Sequence, residues 1–171
     1  MKEYLLVDGY NIIHSWGHLK EMADHGSLES ARSALIEELS NFSGFTNNQI
    51  IVIFDGHYSA NLTRTYEQFN NIEVVFTKKT ESADHYIERI AEEVGRDYKI
   101  TVATSDGMEQ LIVLARGASR MSARELWHEI KAAKKSIRTD YIDNHTLNKK
   151  NLLESHLDQD VIDWMENLRR N

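Results

Sequence analysis

Five acidic side chains stand shortly after runs of apolar residues. Asp8 follows Tyr4–Val7, Asp55 follows Ile50–Phe54, Glu81 and Asp84 follow Ile72–Phe76, and Asp106 follows Ile100–Thr104. If these runs are parallel strands, their C-terminal ends share one edge, the place where such sheets bind ligands. Carboxylates gathered there repel one another unless a cation sits among them. Mg2+ or Mn2+ answers that need, because a hard divalent ion takes oxygen ligands and keeps positions open for water and phosphate. One or two such ions suit phosphodiester hydrolysis, which requires an activated water, an in-line leaving oxygen and positive charge on the non-bridging oxygens. No histidine base is required, since metal-bound water is already acidified. Asp8 and Asp106 are the first expected ligands. Glu81 and Asp84, three apart and able to project from one helical turn, come next. Asp55 is the outlying member, one strand further from the crevice. The competing duty of each acid is local: an aspartate after a strand also makes an Asx-turn or caps a helix, and Asp55-Gly56 and Ser105-Asp106 fit that pattern.

Candidate substrate contacts surround these acids. Asn11 follows Asp8 by three and either orients it, touches a phosphate or caps a helix. Ser105 offers a hydroxyl to a ligand or to a helix start. Arg124, His128, Lys131, Lys135 and Arg138 are spaced 4, 3, 4 and 3 and share one helical face, opposite Ala123, Leu126, Ile130, Ala133 and Ile137. Arg120 and Arg124 stand nearest the strand edge and are the expected phosphate clamp. Residues 116–150 carry nine Lys and Arg against four acids, whereas residues 1–85 carry six against twelve. In a chain of net charge −7 this +5 window is where a polyanion would dock. His14 and His18 are four apart, but without the glutamate of a zinc-protease motif they do not indicate zinc. Trp16, Trp127 and Trp164 are expected to pack rather than to stack bases.

The elements that must position these residues follow from periodicity. Strands are expected at Tyr4–Val7, Ile50–Phe54, Ile72–Phe76, Ile100–Thr104 and, short, at Gly117–Met121. Helical patterns occupy 11–22, 28–43, a stretch from Ser82, Glu109–Ala115 and a long stretch from the capping box Ser122-Ala123-Arg124-Glu125 to Arg138. A polar break at Asp140–Asn148 precedes a last helix with Val161, Met165 and Leu168 on one face. Strands that alternate with helices and lack period-two patterning indicate a parallel sheet covered on both faces, hence one doubly wound α/β domain over 1–171 with 140–171 as a helical extension. The 171 residues suffice for a core without staples. The absence of cysteine excludes disulfides, thiolate metal sites and thiol nucleophiles. Apolar runs are far short of the ~18 residues of a membrane span, and Asp8 interrupts any signal-peptide core. A cytoplasmic location is expected.

Asp8-Gly9-Tyr10-Asn11, Phe54-Asp55, Glu81-Ser82-Ala83-Asp84, Thr104-Ser105-Asp106 and Ser122-Ala123-Arg124-Glu125-Leu126 stand in one order. Over about Tyr4 to Arg138 this order resembles the YacP-like branch of the NYN domain family, relatives of the PIN-domain nucleases. The resemblance implies a PIN-like three-layer α/β/α domain with a parallel sheet of four to five strands in the order 3-2-1-4-5. It also implies Mg2+- or Mn2+-dependent endoribonuclease activity, with mRNA rather than DNA as substrate and the ribosome as partner. The pattern departs at His85, where the family often carries another acid, which implies a weaker second metal position.

Other readings have their own signatures. A dinucleotide-binding enzyme needs a second glycine in the first turn, which Asp8-Gly9-Tyr10-Asn11-Ile12-Ile13 lacks. A receiver-type signalling domain also gathers aspartates at strand ends, but needs a lysine after the last strand, where only Arg120 stands. A non-catalytic PIN-like module would bind RNA or a ribosome without cutting; the acids Asp8, Glu81, Asp84 and Asp106 argue against it.

Overall fold

The computed structural model describes residues 3–58 and 62–136. The chain divides into two compact units, Met1–Lys131 and Ala132–Asn171. The elements in order are β1 (Glu3–Asp8), α1 (Gly9–Ser15), α2 (Gly17–His25), α3 (Leu28–Ser43), β2 (Asn48–Phe54), β3 (Thr65–Phe69), β4 (Ile72–Phe76), α4 (Ala83–Val94), β5 (Lys99–Ala103), α5 (Gly107–Ala115) and β6 (Ser119–Met121). A further helix, α6, covers residues 123–136. The expected extension at 140–171, together with Arg138 and Trp164, lies outside the described residues.

The six strands stand in the order β3-β4-β2-β1-β5-β6. The five strands read from the sequence keep the expected 3-2-1-4-5 order and are mutually parallel. The sixth, β3, corrects that expectation: it pairs antiparallel with β4 at the edge of the sheet. Its residues, TYEQF, are mostly exposed, so they show no buried run. The local signal is the two-residue Asn70-Asn71 connection to β4, with Asn70 at φ 52° as tight hairpins require. The helical pattern at 11–22 is likewise two helices, broken at Trp16, whose extended backbone (φ −94°, ψ 114°) ends α1 and starts α2.

β1 lies at the centre and is buried almost throughout, as a parallel strand covered on both faces must be. Side chains alternate along it, and that alternation places the site. Leu6 joins Ile53 and Val75 of the neighbouring strands in a core with Tyr86, Ile87 and Ala91 of α4 and Val113 of α5. Asp8 is two residues beyond Leu6, so it projects to the same face as α4 and α5. Asp55 is two beyond Ile53 and follows the same rule. The glycines after these aspartates answer to close approach: a side chain at Gly9 would strike the Phe54 ring, and one at Gly56 the Thr77 carbonyl. No helix among the described residues is long and apolar enough to cross a membrane.

Candidate metal centre

Three carboxylates meet where β1 ends and where α4 and α5 begin. Asp8, Asp84 and Glu109 each bring an oxygen within 4.8 Å of the other two. Asp8 is the N-cap of α1, with Oδ1 accepting from the Asn11 N–H at 3.3 Å. Asp84 lies in the first turn of α4, behind the Ser82 N-cap, whose hydroxyl accepts from the His85 N–H. Glu109 lies in the first turn of α5. The cluster thus gathers at three helix N-termini, whose positive dipole ends lower the cost of its negative charge.

Glu109 is not among the acids singled out from the sequence; three residues after the α5 N-cap Asp106, it occupies the place of the glutamate in a capping box. In that motif the glutamate reaches back to the N–H of the cap residue. Here Thr104 Oγ1 already accepts the Asp106 N–H at 3.1 Å. The Glu109 side chain turns inward instead and is 4% exposed. Thr104 and Asp8 lie alongside it without hydrogen-bond geometry, and neither carboxylate oxygen has a partner. A buried carboxylate without a partner is costly, and coordination of a cation is the usual means of relieving it.

The electrostatics agree. Burial, reinforced by Asp84 and Asp55 and opposed by the Asn11 N–H, pushes the Asp8 carboxyl up to about 7. Burial, with the charges of Asp8 and Asp84, pushes Glu109 up to about 8. Asp84 is raised by burial and then by Asp106 and Asp55. These groups disfavour one another's ionisation and share a need for positive charge.

The other expected ligands are placed differently. Asp106 caps α5, with Oδ1 accepting from Met108 N at 2.9 Å and Glu109 N at 3.4 Å, and stands close enough to repel Asp84. Asp55 makes the Asx-turn that its glycine suggested, accepting from His57 N at 2.8 Å, and its charge is felt by Asp8 and Asp84. Glu81 is not brought into the cluster. Arg64 grips it with two bonds of 2.6 Å, and Arg89 adds a contact at 3.1 Å. The Arg64 hydrogen bonds hold the Glu81 carboxyl below the usual carboxylate range. Both guanidinium carbons also lie 5.2 Å from the Tyr86 ring centroid. The three-residue spacing from Asp84 does not unite the two acids, because Glu81 precedes the Ser82 cap and so lies outside the helix.

Asn11 and Ser105 are both engaged in holding strand ends. Asn11 Oδ1 accepts the Ser105 N–H at 2.7 Å, and Ser105 Oγ accepts the Ala123 N–H at 3.2 Å. Arg120 pairs with Glu125 at 3.4 Å on the surface, and Lys131 lies 4.8 Å from the Trp127 ring centroid. Lys135 is exposed on α6. Trp16 is buried, as expected of packing, with Nε1–H donating to the Ala123 carbonyl at 2.9 Å. A cleft of about 220 Å3 lined by Ser82, Asp84, His85, Asp106, Met108 and Glu109 opens beside the carboxylates.

Comparison with known proteins bears on the family and the fold. The family model for the YacP-like NYN domain matches residues 5–170. The uncharacterized protein YacP of Bacillus subtilis (strain 168) is 41% identical over 137 residues, 79% of each chain. The crystal structure of Rae1 (YacP) from Bacillus subtilis superposes with a TM-score of 0.69 at 36% identity, over 98% of this chain and 95% of that one. A tryptophan-to-leucine variant of the same protein superposes with a TM-score of 0.67 at 39% identity, over 80% and 79%. A carboxylate cluster at the expected edge of a PIN-like sheet and a family match along nearly the whole chain lead to one conclusion: this protein belongs to the YacP-like NYN domain family.

Proposed function

We propose that the protein is an Mg2+- or Mn2+-dependent endoribonuclease that cuts mRNA phosphodiester bonds on or near the ribosome. The observation that carries the reading is the meeting of Asp8, Asp84 and Glu109, two of them buried and Glu109 without a partner. The donor set fits a hard divalent cation: all oxygen, anionic, from three separate elements. Such an ion, when bound, supplies an acidified water and positive charge beside the scissile phosphate. Asp8 and Glu109, both buried, and Asp84, which is exposed, would hold it, beside a cleft open to a phosphate. Asp106 orients the start of α5 and adds negative charge to the field. Asn11 and Ser105 keep the ends of β1 and β5 at one spacing. Glu81 acts through Arg64 and Arg89, as an anchor of the segment before β3. The basic residues Arg120, Arg124, Lys131, Lys135 and Arg138 draw the RNA toward an edge that is itself acidic.

The ribosome and mRNA enter through the family resemblance, and the cation through the geometry. The test is cleavage of an mRNA, free and on ribosomes, by wild type and Asp8→Asn, with Mn2+ or with EDTA. Cleavage only by wild type with metal supports the reading. RNA binding without cleavage under every condition would favour the non-catalytic module instead.

A further inference from the structure

A second cleft, at the junction of α1 and α2, is lined by none of the carboxylates above. It measures about 390 Å3 and is lined by Trp16, Gly17, His18, Ser105, Arg124 and Trp127, among others. Three rings meet there. The Trp127 centroid is 4.9 Å from that of Trp16 and 5.0 Å from that of His18, while His18 lies nearly parallel to Trp16 at 6.1 Å. Their burial separates their duties. Trp16 is 5% exposed and bonded through Nε1, so it supports the others. The His18 side chain is 43% exposed, and Trp127 is half-buried. His18 Nε2 lies 3.3 Å from Glu38 Oε1, which holds the ring in its plane. Gly17 leaves that side of the cleft open.

Two cations border the rings. Arg124 lines the cleft and has no ion-pair partner among the described residues. The Lys131 ammonium is 4.8 Å from the Trp127 ring centroid. Both belong to the basic window of a chain whose net charge is −7. Ser105 connects this cleft to the metal centre: it lines the cleft, bonds Asn11 and immediately precedes Asp106. Asp8 is at the other end of α1, seven residues or about 10 Å away.

A surface built for an apolar protein partner would offer aliphatic side chains, and this cleft offers rings and cations. Aromatic faces beside guanidinium and ammonium groups are the chemistry that receives a nucleobase and its phosphate. The volume lies within the range of small-ligand clefts, about 300–1,000 Å3. We propose that this cleft is a nucleotide subsite for the RNA strand adjacent to the cut, with a base stacked on His18 and Trp127 and its phosphate on Arg124. The proposal rests on the ribonuclease reading for the nature of the strand, but binding needs no cleavage, so the two can fail separately.

The test uses the full chain and a fluorescently labelled, short single-stranded oligoribonucleotide at low salt with EDTA, so that nothing is cut. Trp127→Leu and His18→Ala are each expected to weaken binding by about tenfold, within the range of one stacking contact. Trp127→Phe should recover most of the affinity, which a folding defect would not allow. Arg124→Gln should weaken binding and reduce the salt slope by about one. An abasic nucleotide placed at successive positions should lower wild-type affinity at one position and have no effect there in Trp127→Leu. Equal binding of abasic and intact strands at every position overturns the subsite, as does unchanged affinity in Trp127→Leu or failure of wild type to bind the oligoribonucleotide. Metal-dependent cleavage that is lost in Asp8→Asn would leave the nuclease reading standing in each of those cases.

Discussion

Asn11 Oδ1 accepts the backbone N–H of Ser105 at 2.7 Å, across 94 residues of sequence. The ladder between β1 and β5 ends at Val7 and Ala103, so beyond it the two strand ends have no backbone bonds to hold them together. Asn11 closes that gap. It ties α1, capped by Asp8, to the turn that carries Asp106. Asn11→Ala is therefore expected to lose about 1 kcal/mol of stability. Its kcat for RNA cleavage should fall by tenfold or more, because displacements near 1 Å at a reacting centre cost about that much or more. KM should change little. Thermal unfolding and steady-state kinetics on the same preparation check both, and unchanged kcat would make Asn11 a purely structural tie.

Asp8→Asn and Glu109→Gln should each abolish cleavage while making the metal-free protein more stable. Each substitution removes a charge that burial and its neighbours disfavour, and it keeps the shape of the side chain. A gain on the order of 2 kcal/mol at pH 8 is expected from urea unfolding. A loss of stability in either variant would show that its carboxylate is held by contacts within the protein and not by repulsion awaiting a cation.

The metal-free protein should become less stable as pH rises from about 4 to about 8. Asp8 is raised from 3.8 to about 7 and Glu109 from 4.5 to about 8, so in this window the folded state binds more protons than the unfolded one. Stability then falls with pH and levels off above the folded values. Millimolar Mn2+ replaces those protons, so it should raise Tm more at pH 8 than at pH 5. Equal Mn2+ shifts at the two values would place the ion elsewhere.

Glu81→Gln should behave in the opposite way. It leaves Arg64 and Arg89 without their carboxylate and should cost about 1–3 kcal/mol. The wild-type contribution of Glu81 is present above the ordinary carboxylate range and is lost as pH falls through its lowered folded value. Mn2+ affinity, measured by calorimetry, should be nearly unchanged; a large drop would return Glu81 to the ligand set.

Reversing Lys131, Lys135 and Arg138 to Glu should weaken binding to RNA or ribosomes and flatten its salt dependence, since fewer counterions are released. Cleavage at saturating substrate should persist, because these residues are not among the carboxylates that would hold the cation. Binding as tight as wild type, with the same salt slope, would make these three residues ordinary solvated charges.

The sequence alone carried the five parallel strands and the edge of the sheet at which acidic residues gather. A buried parallel strand is a continuous apolar run, and such a run ending in Asp8 or Asp55 is visible without any contact being known. Tertiary structure decided which carboxylates share a point. Glu81 and Asp84 are close in sequence yet separate, because Arg64, 17 residues before Glu81, captures one of them. Glu109 joins Asp8 from 101 residues away, because Thr104 takes the N–H that a capping glutamate would otherwise seek. The break at Trp16 was hidden for a related reason, since its ring is held by Ala123 across the fold, whereas the edge strand β3 was hidden because its mostly exposed residues leave no buried run. Periodicity records which residues leave water. The direction of a polar side chain depends on which hydrogen-bonding groups remain free around it, and that is settled only when the elements meet.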